Sequence, residues 1–262
     1  MASGYSFIFD GIASDAFGLS IAYLNDFDWK QASGGSNSLT TDQLTRSAAA
    51  ILLNVEQSPV LKFNIDIVSE NKLDMQELIT IKNWLFGSKE YKKLQIVSDG
   101  FAGTYFNCFL MPENDFMFAT GFHGISCSVE CDSPYVMEFS KKKVYTYTGE
   151  SSTQRFFNVT ADLQEIKPKI TFKMNGAGNF SITNQSYNNL LFAWDSLLDE
   201  ETITCDCMTG IITSSTQLRR FFNFNKTFLK LKNGVNTLLF TGNISELTFE
   251  YQNRKRIGGG IY

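Results

Sequence analysis

Val60-Leu61-Lys62-Phe63-Asn64-Ile65-Asp66-Ile67-Val68 alternates apolar and polar side chains without a break. Successive residues of a strand point to opposite faces. Leu61, Phe63, Ile65 and Ile67 would therefore share one face, as a half-buried strand requires. The same signature returns in Gly124–Cys131, where Ile125, Cys127, Val129 and Cys131 alternate with polar residues. Asp132-Ser133-Pro134-Tyr135 then breaks the strand.

Other elements of the first half follow by period and punctuation. Tyr5–Gly11 reads as a short strand closed by an Asp10-Gly11 turn. Ala16–Leu24 is a second strand candidate, and Lys93–Val97 and Gly103–Met111 are two more around Asp99-Gly100. Between the alternating stretches, Leu78, Ile81, Trp84 and Leu85 recur at helical spacing. The spacing predicts a helix over Leu73–Phe86, with Asp74 and Glu77 as a capping box and Gly87 as its stop. Residues from about 29 to 50 are different: Gln31-Ala32-Ser33-Gly34-Gly35-Ser36-Asn37-Ser38 is small and polar, and Ala48–Leu53 is apolar. Connections this long are uncommon inside a compact domain, and this one reads as an extended hairpin arm with Ala48–Leu53 as its return strand.

Residues 140–154 are polar and weakly periodic, and the domain border is placed near 134–145. The second half reads as strands throughout: Arg155–Thr160, Pro168–Met174, Gly178–Asn184, Leu190–Ala193, Thr202–Asp206, Gly210–Ile212, Phe228–Leu231, Asn236–Thr241 and Ser245–Asn253. Asn175-Gly176, Thr209-Gly210, Asn233-Gly234 and Gly242-Asn243 separate several of them. Short strands at this spacing suggest a sandwich.

Composition bounds the function. The 262 residues are 43% hydrophobic and 19% charged, with 24 Phe and only 4 Pro, which favours packed β structure over disorder or helix bundles. A net charge of -4 does not supply the basic surface that grips nucleic acid. No apolar run reaches membrane-spanning length. The opening Met1-Ala2-Ser3-Gly4-Tyr5 lacks the basic and apolar regions of a signal peptide, and five Cys is an odd count. The expectation is a chain made in a cytoplasm, with Cys108, Cys127, Cys131, Cys205 and Cys207 as reduced thiols.

Catalytic apparatus is sparse. The one histidine, His123, stands at a strand start, and no Gly-x-Ser-x-Gly elbow accompanies it. Cys205 and Cys207 would face the same side of a strand, more simply as buried thiols than as half of a zinc site. Asp199-Glu200-Glu201 reads as a solvated acidic cluster. Gly258-Gly259-Gly260 precedes no helix and so does not cradle phosphate, and Arg254-Lys255-Arg256 is a small basic tail. The expectation is no enzyme, no metal and no cofactor.

The order of features resembles the distal tail protein family of siphophages. The resemblance rests on Phe7-x-Phe9-x-Gly11 followed by Asp15-Ala16-Phe17-Gly18-Leu19, on the helix ending Asn83-Trp84-Leu85, and on Ser126–Tyr135. In the second half it rests on Glu201–Gly210, Leu231–Gly242 and Leu247–Arg254. It spans nearly the whole chain, although each motif alone is only a turn-and-strand pattern. It implies a mostly β protein with two β-sandwich-like domains. Residues 1–134 would be an α+β ring-forming domain with one helix and the arm at about 29–54. Residues 145–262 would be a galectin-like β-sandwich. It further implies a homohexameric ring at the virion tail tip, assembled in the host cytoplasm. That ring would contact the tail tube protein, the tail-associated hub and a receptor-binding protein. The apolar arm residues Trp29, Leu39, Leu44, Ile51, Leu52 and Leu53 are the candidate oligomer interface. A carbohydrate-binding module is the competing reading, with Trp194 as the ring that would stack on a sugar.

Overall fold

The computed structural model describes residues 4–23, 38–42, 51–56, 60–117, 123–146, 150–160 and 165–255. Two compact units divide the chain: Met1–Glu138 with Lys255–Tyr262, and Phe139–Arg254. The sequence reading carried the second domain on to residue 262, whereas the structure returns Lys255 to the first unit.

The first unit contains β1 (Phe7–Phe9), β2 (Ile12–Ala13), β3 (Leu19–Tyr23), β4 (Ser38–Asp42), β5 (Ile51–Glu56) and β6 (Lys62–Ser69). Helix α1 (Met75–Phe86) follows, then β7 (Lys92–Ile96), β8 (Thr104–Met117), β9 (His123–Cys131) and β10 (Val136–Glu138). The main sheet runs β2-β1-β7-β8-β9-β6-β3. Its two ends meet: Tyr5, just ahead of β1, exchanges both backbone hydrogen bonds with Ile21 of β3 at 2.9 Å. One curled sheet thus surrounds its own core, and the ladder has almost no free edge there. All eight apolar residues singled out in the two alternating stretches are buried in that core. Burial of each of the Leu, Phe, Ile and Val side chains among them is worth about 1.5–3 kcal/mol before chain entropy is set against it.

Local chemistry explains the boundaries. Asp10 and Gly11 both have positive φ (51° and 81°), which matches the twist of the two-residue hairpin joining β1 to β2. The α1 capping box is complete: Asp74 Oδ1 accepts from Glu77 N–H, and Glu77 Oε2 accepts from Asp74 N–H, both at 2.8 Å. Gly87 ends the helix without a left-handed turn. A Cβ there would sit 2.4 Å from Asn83 O, so the missing side chain lets the last turn close. Ile81 and Leu85 are buried, with Leu78 and Trp84 partly buried against the same core. Trp84 Nε1 donates to Phe9 O at 3.1 Å, and its ring lies 4.9 Å from Phe17 and 6.0 Å from Phe7. Ala16 and Phe17 belong to a 3-10 turn, Ser14–Phe17, so the strand expected from residue 16 starts only at Leu19.

The second unit contains β11 (Lys141–Tyr145), β12 (Ser151–Asn158), β13 (Lys169–Met174), β14 (Gly178–Asn184), β15 (Leu190–Leu197) and β16 (Thr202–Asp206). After these come β17 (Ile212–Ser214), β18 (Gly234–Thr241) and β19 (Ile244–Tyr251). Sheet β11-β19-β13-β16-β17 faces sheet β12-β18-β14-β15. Rings from the two sheets close the space between them: Phe172 lies 4.3 Å from Phe180, and Tyr145 lies 5.3 Å from Phe240. This is a two-sheet sandwich. The stretch 140–154, read as polar border, holds β11 and the start of β12. The Lys141-Lys142-Lys143 run masks a strand because it lies on a sheet edge, where lysine is favoured. Phe228–Leu231 is no strand and makes only the isolated bridge Leu231–Ile166. Finally β20 (Arg254–Lys255) pairs with β10, and Lys255 Nζ reaches Glu138 Oε1 at 2.9 Å.

Candidate assembly surfaces

Strands β4 and β5 pair with each other in a separate two-stranded sheet. Ser38–Asp42 pairs with Ile51–Glu56, so the return strand runs to Glu56, past the expected end of the arm at 54, and is shifted from the expected Ala48–Leu53. The register runs Leu39↔Val55, Thr40↔Asn54, Thr41↔Leu52 and Asp42↔Ile51. Leu53 is the extra residue of a bulge between Thr40 and Thr41. Of the six apolar arm positions, Leu39, Ile51, Leu52 and Leu53 thus lie on the hairpin backbone. Trp29 and Leu44 lie outside the described residues.

The chemistry-bearing residues do not assemble into a site. His123 pairs with Met117 at the loop end of the β8–β9 hairpin, and its backbone N–H, not its imidazole, meets Ser69 Oγ at 3.2 Å. All five cysteines are buried free thiols. Burial, reinforced by neighbouring carboxylates, pushes Cys127 and Cys131 up to about 12, so neither is poised as a nucleophile or ligand. Cys205 and Cys207 share the inner face of the sandwich, as their spacing implies. No cluster of three or more His, Cys, Asp or Glu among the described residues could hold a metal.

Trp194 is not a sugar platform. It is 2% exposed and stacks on Phe224 with ring centres 4.6 Å apart. A cleft of about 370 Å³ is lined by Asn179, Ser181, Ala193, Asp195 and Asn225, but its aromatic lining, Phe180, Trp194 and Phe224, is buried. Stacking on a saccharide needs an open aromatic face, and none is offered there.

Glu201 is the main departure from the sequence reading. Asp199 and Glu200 lie at the surface, but Glu201 is 1% exposed and pairs with Arg220, itself 8% exposed. Arg220 Nε donates to Oε1 at 2.8 Å and Nη2 to Oε2 at 2.6 Å, a bidentate fork. Ser214 Oγ and Thr216 Oγ1 donate to Oε1, and Leu198 N–H donates to Oε2. Burial pushes the Glu201 carboxyl up, but these hydrogen bonds and the guanidinium charge outweigh it and hold the group at about 2. Arg220 also donates to Ser196 O at 3.2 Å. The pair therefore ties the turn Arg220–Asn223 to the β15–β16 connection. Nothing in a three-residue acidic run marks its last member as buried; the distant Arg219-Arg220 was the only available hint.

Comparison with known proteins agrees with this architecture. Residues 2–133 match a family model described as phage tail protein N-terminal domain, and residues 138–251 one described as phage tail C-terminal domain. The chain is similar in fold to the crystal structure of the SPP1 Dit protein (gp 19.1), described as a paradigm of hub adsorption apparatus in phages infecting Gram-positive hosts. The TM-score is 0.69 at 11% identity, over 95% of this chain and 99% of that one. No curated protein sequence matches. No described helix is long and apolar enough to cross a membrane.

Proposed function

This chain belongs to the phage tail protein family whose domains span residues 2–133 and 138–251, and from that premise we propose that it is a distal tail protein forming a hexameric ring. The ring joins the tail tube to the tail-associated hub and carries receptor-binding protein; it acts by assembly and catalyses nothing. The first unit, Met1–Glu138 with Lys255–Tyr262, closes the ring, and the galectin-like second unit, Phe139–Arg254, takes no part in closure.

The observation carrying this reading is the hairpin of β4 and β5, which has no third strand among the described residues. A lone two-stranded hairpin is marginal in water and gains stability by joining another sheet. A neighbouring copy supplies one by strand addition, in a head-to-tail contact that closes on itself. Trp29, Leu39, Leu44, Ile51, Leu52 and Leu53 supply the apolar contacts. The likeness of fold to the SPP1 Dit protein supports the same reading.

The test is solution mass by light scattering with imaging of the peak. The expected particle is six times 29.5 kDa, with a central hole. Ile51→Glu combined with Leu53→Glu should leave monomers; an unchanged oligomer would remove the arm from the interface.

A further inference from the structure

The turn held by Glu201 presents two aromatic rings to solvent. Phe222 is 83% exposed and Phe221 46%, with Leu218 beside them in sequence at 50%. The two rings meet edge-on at 6.4 Å. Isolated exposed apolar residues need no explanation, but this group sits on unusually well-anchored backbone.

Arg220 points inward between Leu218 and Phe221 and is locked by the fork to Glu201. Asn223 Nδ2 donates to Asp195 Oδ1 at 3.0 Å, and Asn225 Nδ2 donates to Leu191 O at 2.8 Å. The Asn225 backbone N–H donates to Ala193 O, and Phe224 bridges Trp194. Arg220, Asn223, Phe224 and Asn225 are thus stapled to β15 or to the β15–β16 connection.

The segment that carries the rings has charge of one sign. No Asp or Glu occurs between Asp206 and Glu246, while Arg219, Arg220, Lys226, Lys230 and Lys232 all fall there. Arg220 is neutralised by Glu201, and Lys230 meets Glu165 at 3.0 Å. Arg219 and Lys226 are exposed, and Lys226 Nζ stands 5.5 Å from the Phe221 ring centre. Among the acids of the neighbouring strand and connection, Glu200 is paired with Lys173, while Asp195, held by the Asn223 amide, keeps its charge on the β15 side of the turn. In a chain of net charge -4, this is a local basic rim around an aromatic knob.

We propose that Phe221 and Phe222 form a preformed docking knob for another protein of the tail, seated in an apolar pocket edged by carboxylates. Rigid aromatic anchors encircled by complementary charge are how protein partners concentrate binding energy, because ordering is complete before contact. A lipid surface adapts to any shape and would gain nothing from the staples. The inference rests on the tail-protein reading above.

The experiment places a photoreactive benzoylphenylalanine at position 222 of the full chain and assembles it into tail particles. Irradiation should attach it to one other tail protein, at a peptide where Asp or Glu flanks apolar residues. Arg219→Glu with Lys226→Glu should lower the yield at least several-fold. Particles that contain the chain but show attachment only within the chain, to lipid, or to a peptide without carboxylates would overturn the knob and leave the tail reading standing. Particles that assemble without the chain would overturn the tail reading itself, and the knob with it. A Phe221→Ser, Phe222→Ser variant should melt at the wild-type temperature while its particles lose that partner; particles retaining it in full would equally overturn the proposal.

Discussion

The two units secure their irregular parts by different means. In the first, the sheet closes through the backbone bonds of Tyr5 and Ile21, and the buried side-chain ties are local hydroxyl bonds: Ser14 Oγ accepts from Phe7 N–H at 3.0 Å and Thr104 Oγ1 donates to Phe101 O at 2.7 Å. In the second, buried amides and a buried ion pair do that work. Asn184, Glu201, Arg220 and Asn236 are all buried, and all hold backbone away from the ladders. Asn236 alone accepts from Lys232 N–H at 3.0 Å and donates to Lys232 O at 2.9 Å, while Asn184 donates to both Lys230 O and Asn236. A curled sheet satisfies its own backbone as it closes. A sandwich with a long β17–β18 connection leaves groups that side chains must satisfy.

The comparison makes the second unit brittle to polar substitution and the first tolerant, and that can be broken in order of effect. Glu201→Ala strands a buried guanidinium and should cost about 3–5 kcal/mol, confined to the second unit. Urea unfolding followed by fluorescence separates the units through Trp84 and Trp194; a shift in both transitions would mean the units are not independent.

Acid should act on the same pair. The folded Glu201 carboxyl titrates at about 2 against an ordinary 4.5, so its protons bind more readily in the unfolded chain. Its contribution is full above pH about 4.5 and is lost as pH falls toward 2. The second transition of the wild type should weaken across that window, and in Glu201→Gln this slope should flatten.

Asn236→Leu leaves Lys232 N–H unpaired and Lys232 O with only the 3.4 Å bond from Asn158, and should cost about 2–3 kcal/mol, again in the second transition. Trp84→Phe loses one hydrogen bond and part of the indole, and should cost the first unit about 1–2 kcal/mol. If Trp84→Phe proved costlier than Asn236→Leu, polar ties would not be what distinguishes the units.

Legibility in the sequence follows the same divide. Alternation revealed β6 and β9 because one face is core and the other is not, and Asp74, Glu77 and the 3.6-residue spacing revealed α1. Signals failed where tertiary context overrode them. Lys141-Lys142-Lys143 reads as linker because an edge strand needs no apolar face. Phe228–Leu231 reads as strand, yet Leu229 and Leu231 are buried without a ladder. Glu201 reads as surface because its partner lies 19 residues away. The arm stands out by length and composition, but the apolar run Ala48–Leu53 does not mark its paired strand, which is Ile51–Glu56.

Lys255 and β10 carry a consequence for the order of synthesis. Val136–Glu138 leaves the ribosome before any residue of the second unit, yet β20, which pairs with it, emerges only after that unit is complete. A nascent chain must therefore hold β10 and the buried Glu138 without the Lys255 ion pair while more than a hundred further residues are made. A chain stalled or cut inside the sandwich would carry a first unit lacking one of its strands, so loss of the distal half would be felt in the proximal one.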